Sequence, residues 1–345
     1  MDETPVVSAT QRLQDPYSSL SRSIGIVDSN AILSSVDNDC RHSRSSRLLR
    51  STLFSSTTLY AADHVYTEVY DKLPKLARTS PIPLADLQSR FEDRYLPAIR
   101  FVTVSMPDLL DPQVLAVTDL DDRPTGQLAL LTAPVIVFSE DKHLRNPGFA
   151  FSNWRETAGG AAMVAEAAGE QRLMVIAAVM PSVGVFRGLD LVGRQLGIPR
   201  WVPGAAFAAL TGLGVYVFMR GPDRRAAAKN AGRKTSEALG EVLTGQGQRR
   251  ADGLRAINGA IYTRRGEPSV CQQVALTLAR SSGPLLAQEV HDLIADRFDD
   301  DHVPLVSEVR TVLAEGTEFV RVDRSRWQLG REVGPCRGQY SRTAR

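Results

Sequence analysis

The sequence contains few cysteines and no metal-binding cysteine motif. Its three cysteines, Cys40, Cys271 and Cys336, lie far apart and form no CxxC pair. An odd number of isolated cysteines argues against a disulfide framework and against a zinc finger, and it is typical of a reducing compartment. We therefore expect a cytoplasmic protein.

No secretory signal is recognisable, and the net charge is small. Residues 1–15 are polar and acidic, without a basic segment that leads into an apolar one, and we expect residues 1–23 to be a flexible leader. The 41 Lys and Arg residues nearly balance the 39 Asp and Glu residues. Positive charge is concentrated in residues 220–265, which hold eleven basic and four acidic residues. This local excess of positive charge says more about possible binding partners than the small net charge of the whole chain does.

Long apolar runs are confined to the middle of the chain, at residues 173–189 and 201–219. The second run is uncharged and long enough to cross a hydrocarbon core of about 30 Å as a helix, whereas the first contains Pro181. Two alternatives stay open: a membrane hairpin or two buried helices of a linker spanning residues 151–265. We favour the hairpin, with the basic residues that follow it at the cytoplasmic face of the inner membrane.

Between residues 24 and 150, short apolar runs alternate with amphipathic segments. This order predicts an α/β domain with a mostly parallel sheet between two layers of helices. Asp63 is expected to cap the second of the predicted helices, and Pro74 to kink or end it. The predicted strands are Ile24–Val27, Leu59–Ala62, Ile99–Val104 and Pro134–Phe138, and the predicted helices are 41–54, 64–76, 84–96 and 125–132.

A second folded unit is predicted for residues 266–331. Helical spacing indicates three helices at 270–280, 287–298 and 304–314, and alternating residues then indicate a β-hairpin at 319–329. Three helices followed by a hairpin is the order of a winged helix. Residues 332–345 are expected to be a basic tail. The length of 345 residues is comfortable for two or three domains.

Acidic residues follow the predicted strands of the first domain. Asp28 ends the first strand, and Glu68 lies one turn into the helix after the second. Asp119, Asp121 and Asp122 precede the fourth helix, and Asp141 follows the fourth strand. In an open parallel sheet, the carboxyl ends of the strands lie at one edge, so these side chains are expected to converge. Taken singly, Asp28, Asp122 and Asp141 could equally be cap or turn residues, and Glu68 a solvated helix position.

Clustered carboxylates repel one another unless a cation lies between them. Carboxylate oxygens favour Mg²⁺ or Mn²⁺, which are held by a few carboxylates and several waters. Such ions activate water and neutralise charge on a scissile phosphate. The cluster therefore predicts metal-dependent hydrolysis of a phosphodiester bond.

Four segments of the chain, residues 24–30, 64–69, 118–124 and 137–142, resemble the successive motifs of PIN-domain nucleases. The resemblance covers residues 24–150. It implies a compact α/β/α domain that cleaves single-stranded RNA with Mg²⁺ or Mn²⁺, often as a toxin paired with an antitoxin or as a homodimer. Two departures are His143, where the family often has another Asp, and Gly126-Gln127 in a helix start that is usually apolar.

The resemblance also implies roles for individual residues. By motif position, the acidic quartet would be Asp28, Glu68, Asp122 and Asp141, with Asp119 as an outer metal ligand. Ser29 or Asn30 would be a polar helper.

Residues 266–331 resemble the winged-helix module of the RNA polymerase delta subunit, chiefly through Gly283-Pro284-Leu285 and the hairpin. This implies contacts with DNA, RNA or a protein partner. The candidate phosphate contacts are Arg310, Arg321, Arg324 and Arg326. The alternative is a protein-docking fold, since residues 299–301 are three aspartates that would repel nucleic acid.

The leading hypothesis is thus a metal-dependent endoribonuclease with a C-terminal winged helix. The alternative is a PIN-like regulatory or binding protein that has lost its activity and acts through the winged helix.

Overall fold

A computed structural model describes residues 23–107, 110–179, 244–298 and 302–335. Its centre is a five-stranded sheet in the order β3-β2-β1-β4-β5. The first four strands are parallel, and β5 pairs with β4 in the antiparallel direction. The predicted α/β class with a mostly parallel sheet is therefore confirmed. The strands are β1 (Ser23–Val27), β2 (Thr57–Ala62), β3 (Ile99–Val102), β4 (Val135–Phe138) and β5 (Ile261–Tyr262).

The four parallel strands are apolar on both faces because both faces are covered. Alternate residues of each strand enter two separate cores. In β1, Ile26 belongs to one core and Val27 to the other. Gly25 lies where neighbouring strands leave no room for a side chain, since a Cβ there would lie 2.6 Å from the Phe138 ring and 2.9 Å from Leu59.

Helices cover both faces of the sheet. One face packs against α1, α2, α3, α4 and α8, and the other against α5, α6, α7 and the C-terminal unit. The α-helices described as far as residue 179 are α1 (Ser29–His42), α2 (Arg47–Ser51), α3 (Asp63–Thr79), α4 (Leu84–Arg90), α5 (Pro112–Leu115), α6 (Arg123–Thr132), α7 (Lys142–Arg145) and α8 (Trp154–Val179).

One expectation about α3 was wrong, and one of the two alternatives for Pro74 is excluded. Asp63 does not cap the helix: Ala62 is the N-cap residue, and Asp63 is the first helical residue. Its carboxylate instead accepts hydrogen bonds from Thr103 and Arg331. Pro74 does not end the helix, which continues to Thr79. The buried residues Val65, Val69, Tyr70 and Leu73 hold α3 on the sheet, and this tertiary packing outweighs the missing proline hydrogen bond.

The middle of the chain is described only in part. Helix α8 packs against α9, which covers residues 244–258. The two backbones approach closely where a Cβ on Gly160 would lie 2.8 Å from the carbonyl of Gly253, and Glu170 pairs with Arg249 at 2.9 Å. In the described ranges we find no helix both long and apolar enough to cross a membrane. The proposed hairpin lies mostly outside these ranges, as do residues 1–22 and 336–345.

The C-terminal unit contains three helices and a three-stranded sheet. The order along the chain is α10 (Val270–Arg280), β6 (Leu285–Leu286), α11 (Ala287–Ala295), α12 (Val306–Glu315), β7 (Phe319–Arg321) and β8 (Arg326–Leu329). The strands lie in the order β6-β8-β7, and both pairs are antiparallel. The predicted helices and hairpin are present, and β6 is an additional strand that the sequence analysis did not identify.

This unit shares a core with the first domain. Residues of α10 pack with those of α6 in one apolar cluster, and the Tyr60 hydroxyl donates a hydrogen bond to the Ala279 carbonyl at 3.2 Å. After β8, Arg331 forms an antiparallel bridge with Phe101 in the edge strand β3. Glu318 is buried and accepts a hydrogen bond from the Ser105 backbone at 2.9 Å. The unit therefore forms part of the cover over one face of the sheet.

Candidate functional site

The strand order places a crevice between β1 and β4. The chain moves outward from β1 to β2 and β3, then returns to the other side of β1 to form β4. In open parallel sheets, ligands bind beyond the carboxyl ends of strands at this reversal of direction. Asp28 follows β1, and Ser139 and Asp141 follow β4. These residues therefore stand at the position where such a sheet places a binding site.

Asp28 lies at the centre of this edge and is only 2% exposed. Its Oδ1 accepts a hydrogen bond from the Ser29 backbone at 2.6 Å, and its Oδ2 accepts one from Ser139 Oγ at 2.8 Å. Asp28 is thus the N-cap residue of α1, as its alternative interpretation predicted. Burial raises the pKa of Asp28, and the negative charge of Glu68 raises it further. The same carboxylate therefore caps a helix and faces another carboxylate.

Asp122 shows most directly that the predicted carboxylates converge. It precedes α6 but makes no side-chain cap hydrogen bond, so its carboxylate is not committed to the helix. Burial and the charges of neighbouring carboxylates raise its pKa to about 7. The neighbours responsible are, in order of effect, Asp28, Asp141, Asp119 and Glu68. The other four predicted acidic residues thus all lie close enough to act on Asp122.

Glu68 is balanced by a cation that the sequence analysis did not identify. It forms an ion pair with Lys72, one turn later on α3. The same Lys72 ammonium donates a hydrogen bond to Ser29 Oγ at 3.3 Å. Lys72 also lowers the pKa of Asp28 through its charge. The signal available in the sequence was the Glu-to-Lys spacing of four residues on a helix.

Asp141 and Asp119 lie at the rim of the site. Asp141 caps the short helix α7 through a hydrogen bond from the His143 backbone at 2.7 Å. Its own backbone N–H donates to Ser139 Oγ at 3.0 Å, so Ser139 connects Asp141 with Asp28. Asp119 is exposed and accepts a hydrogen bond from the Asp121 backbone at 3.0 Å.

The neutral residues near the site have different environments. Ser29 is buried and contacts Lys72, whereas Asn30 is exposed, so Ser29 has the better position for a polar helper. His143, the departure from the PIN pattern, forms a hydrogen bond with Thr118 through Nδ1. Burial lowers the pKa of His64, while the charges of Glu68, Asp121 and Asp63 oppose this shift.

The donors have the chemistry of a divalent-cation site but are not drawn together around one point. Within the described ranges, no three Asp, Glu, His or Cys side chains are grouped closely enough to hold a metal ion. Like charges near one another disfavour the ionised forms, and the raised pKa of Asp122 shows this effect at the site.

The four predicted arginines of the C-terminal unit are all exposed. Two of them are held within the unit itself. Arg326 donates to the Pro284 carbonyl at 3.1 Å and lies 3.9 Å from Glu289. Arg321 lies over the Trp327 ring at 5.8 Å and donates to the Asp323 carbonyl. Arg310 on α12 and Arg324 in the hairpin turn are therefore the better placed of the four for phosphate.

Comparison of the chain with protein-family models, with curated proteins and with solved structures gave no match.

Proposed function

We propose that the chain is a metal-dependent endonuclease of the PIN type that hydrolyses single-stranded RNA with Mg²⁺ or Mn²⁺. The observation that carries this proposal is the environment of Asp122, whose pKa is raised to about 7 by burial and by four surrounding carboxylates. Such a concentration of like charge is costly to folding and is typical of sites whose function requires it. The position of Asp28 and Asp141 beyond the carboxyl ends of β1 and β4, at the crevice between these strands, further supports the proposal.

The residues have distinct proposed roles. Asp28, Glu68, Asp122 and Asp141 would hold the cation, and Asp119 would act as an outer ligand. Ser139 orients Asp28 and receives the Asp141 backbone N–H, so it positions both carboxylates. When bound, a divalent cation supplies charge neutralisation and a more acidic water.

The electrostatics also predict how the substrate is admitted. Without a cation, the carboxylates would repel a phosphodiester, and Lys72 alone offsets only part of their charge. Binding of RNA at this edge should therefore depend on the divalent cation. The C-terminal unit, which we propose to act as a winged helix, would add contacts outside the site through Arg310 and Arg324.

The experiment uses the full-length protein because the C-terminal unit shares a core with the sheet. End-labelled single-stranded RNA is incubated with Mg²⁺, Mn²⁺ or EDTA, and the products are resolved by electrophoresis. We expect cleavage that requires the metal and is lost in Asp122→Asn. The control is Asp111→Asn, whose amide oxygen can still cap α5. No metal-dependent cleavage of RNA or single-stranded DNA would contradict the proposal.

A second candidate is a non-catalytic binding protein that acts through the C-terminal unit. The Lys72–Glu68 ion pair favours it, because the ammonium takes up a carboxylate that a metal would need. Fluorescence anisotropy with duplex DNA and RNA across a salt series tests this candidate, with Arg310→Gln and Arg324→Gln as variants. A steep salt dependence that the variants reduce would support nucleic-acid contact. Calorimetric titration with Mn²⁺ then separates the candidates, since only the nuclease requires binding at Asp28 and Asp122.

A further inference from the structure

A cavity of about 280 Å³ lies between the beginning of α3 and the segment that follows β8. It joins parts of the chain that are more than 250 residues apart in sequence. The lining residues are Asp63, His64, Tyr66, Thr67, Arg331 and Val333. The cavity thus exists only because the C-terminal unit docks on the sheet.

The C-terminal wall of the cavity is fixed by backbone contacts. Phe101 and Arg331 exchange two backbone hydrogen bonds, at 2.9 and 2.8 Å. Gly330, with a φ of +66°, lets the chain turn onto β3, and a Cβ there would lie 2.8 Å from the Phe101 carbonyl oxygen. Further along, the Gly334 carbonyl accepts a hydrogen bond from the Tyr66 hydroxyl at 3.3 Å. Residues 330–334 are therefore held in place and form one wall of the cavity.

The lining offers a guanidinium, an imidazole and an aromatic ring. Arg331 lies 3.3 Å from Asp63, yet its side chain is 58% exposed and has five N–H donors, so most of them remain available. Both ring nitrogens of His64 are buried without a hydrogen-bond partner among the described residues. The Tyr66 ring is held by edge-on contacts with Tyr70 and Phe101 at 5.1 and 5.5 Å.

The cavity lies next to the carboxylate site on the same helix. Thr67 immediately precedes Glu68, and His64 is one turn before it. The charges of Glu68 and Asp121 both act on His64. A ligand strand that runs along α3 from the carboxylate site therefore reaches the cavity within about one helical turn, roughly 5 Å.

We propose that this cavity binds a nucleotide of single-stranded RNA adjacent to the phosphodiester at the carboxylate site, with Arg331 as the main contact. The inference rests on the proposed function for the identity of the ligand. Unstacked bases bind to aromatic rings, His side chains and guanidinium planes, and the base edges accept hydrogen bonds from such groups. The flanking phosphate provides a second partner for the guanidinium. Arg331 is thus a substrate-positioning residue supplied by the C-terminal unit.

Binding is measured first, without turnover. The full-length protein, with its carboxylates intact and with Ca²⁺ in place of Mn²⁺ to limit turnover, is titrated into a fluorescein-labelled, single-stranded oligoribonucleotide, and anisotropy gives the Kd. Adding Arg331→Met, which keeps the aliphatic stem, should weaken binding about 10-fold. The matched control is Arg78→Met, an exposed arginine in the last turn of α3 that has no proposed contact with RNA, and it should have a much smaller effect. Equal effects of the two substitutions, or an absence of RNA binding before either is made, would overturn the proposal.

Kinetics of the active protein distinguish failure of this proposal from failure of the nuclease. Arg331→Met should raise KM with little change in kcat, because the contact is remote from the reacting phosphate. Selective loss of RNA binding in a protein that never cleaves would support the cavity and reject the nuclease. RNA cleavage with an unchanged KM in Arg331→Met would support the nuclease and reject the role of the cavity.

A second variant guards against misfolding. Thr67→Val removes a hydroxyl that lines the cavity without touching the Arg331–Asp63 pair, and it should weaken RNA binding about 2- to 3-fold. The melting temperature of each variant is measured in parallel. Unchanged RNA binding in Thr67→Val together with normal binding in Arg331→Met would leave the cavity without a role in RNA binding.

Discussion

Two buried aspartates lie at opposite ends of α1 and have opposite surroundings. Asp28 precedes the helix and is 2% exposed, and Asp39 lies in its last turn and is 0% exposed. Burial raises the pKa of both carboxyls, for Asp39 to about 6. Asp39 accepts a hydrogen bond from the Tyr95 hydroxyl at 3.0 Å, and the charges of Arg90 and Arg94 lower its pKa. The main charged neighbour of Asp28 is instead Glu68, another carboxylate.

The difference separates a structural carboxylate from a candidate functional one. The Tyr95 hydroxyl donates to one oxygen of Asp39 and two arginines supply positive charge, so Asp39 ties α1 to the neighbouring elements, although its Oδ1 is buried without a hydrogen-bond partner among the described residues. The end that carries Asp28 gathers four further carboxylates and one lysine. Burial alone therefore does not mark a site; the sign of the neighbouring charge does.

The largest expected effect is on RNA cleavage. Asp28→Asn should lower the rate by at least about 100-fold, because it removes a proposed metal ligand. Asp39→Asn should leave the rate within about 2-fold, since its neutral amide can still accept the Tyr95 hydrogen bond. Cleavage rates in Mn²⁺ at saturating RNA check both values. Similar losses of cleavage rate in the two variants would contradict the distinction between a functional Asp28 and a structural Asp39.

The next effect is on thermal stability in the presence of metal. A ligand that binds only the folded state at 100 times its Kd stabilises it by about 2.7 kcal/mol. Mn²⁺ should therefore raise the Tm of the wild type and of Asp39→Asn by several degrees, and that of Asp28→Asn little. Differential scanning calorimetry with and without Mn²⁺ gives the comparison. An equal response in all three proteins would place the bound metal elsewhere.

Metal-free stability should depend on pH through Asp122. Its folded pKa of about 7 exceeds the unfolded value of about 4, so the folded state binds more protons between these values and the wild type loses stability as the pH rises. Asp122→Asn should therefore raise the Tm at pH 8 by about 2–4 °C, the effect of about 1 kcal/mol in a domain of 150–250 residues. The gain should vanish near pH 4. A lower Tm at pH 8 would contradict the proposed repulsion.

The smallest effect concerns Lys72, the cation at the carboxylate end. Lys72→Met removes the positive charge that pairs with Glu68 and lies beside Ser29, so the site should bind Mn²⁺ a few-fold more tightly. Lys75→Met is the control, because Lys75 is exposed on the same helix and only three residues further on. Isothermal titration calorimetry measures both affinities. Weaker Mn²⁺ binding in Lys72→Met alone would show that the lysine supports the site.

The parallel strands are predictable from sequence because each is an uninterrupted apolar run buried on both faces. The predicted helix at 41–54 was wrong: the chain forms α1 over Ser29–His42, turns at Ser43 and begins α2 at Arg47. Almost all of α1 was missed, since Ser34, Ser35, Asp37 and Asn38 are weak helix formers and the helix is stabilised by packing. Strand β5 has two residues, too short to show a period. One feature of the sequence indicated that the C-terminal unit docks on the first domain. Every residue of Gln273–Ala279 is buried, and a helix that is apolar on most sides requires packing partners on most sides.

The convergence of the carboxylates was predictable from their positions after the strands, because parallel strands bring their carboxyl ends to one edge. Lys72 and Ser139 were not predicted, since a helix lysine and a serine are common on any surface. Their roles depend on distances that only the fold sets: Ser139 Oγ to Asp28 at 2.8 Å and Lys72 to Ser29 at 3.3 Å. The contribution of Arg331 depends likewise on a contact across more than 200 residues.

The most direct measurement is the anomalous difference density of manganese in crystals of the full-length protein grown with Mn²⁺. The proposed site predicts a peak within about 2.0–2.6 Å of carboxylate oxygens of Asp28 and Asp122, with Glu68 or Asp141 completing the shell. A peak only at other residues, or no peak at all, would contradict a divalent-metal site at this edge of the sheet.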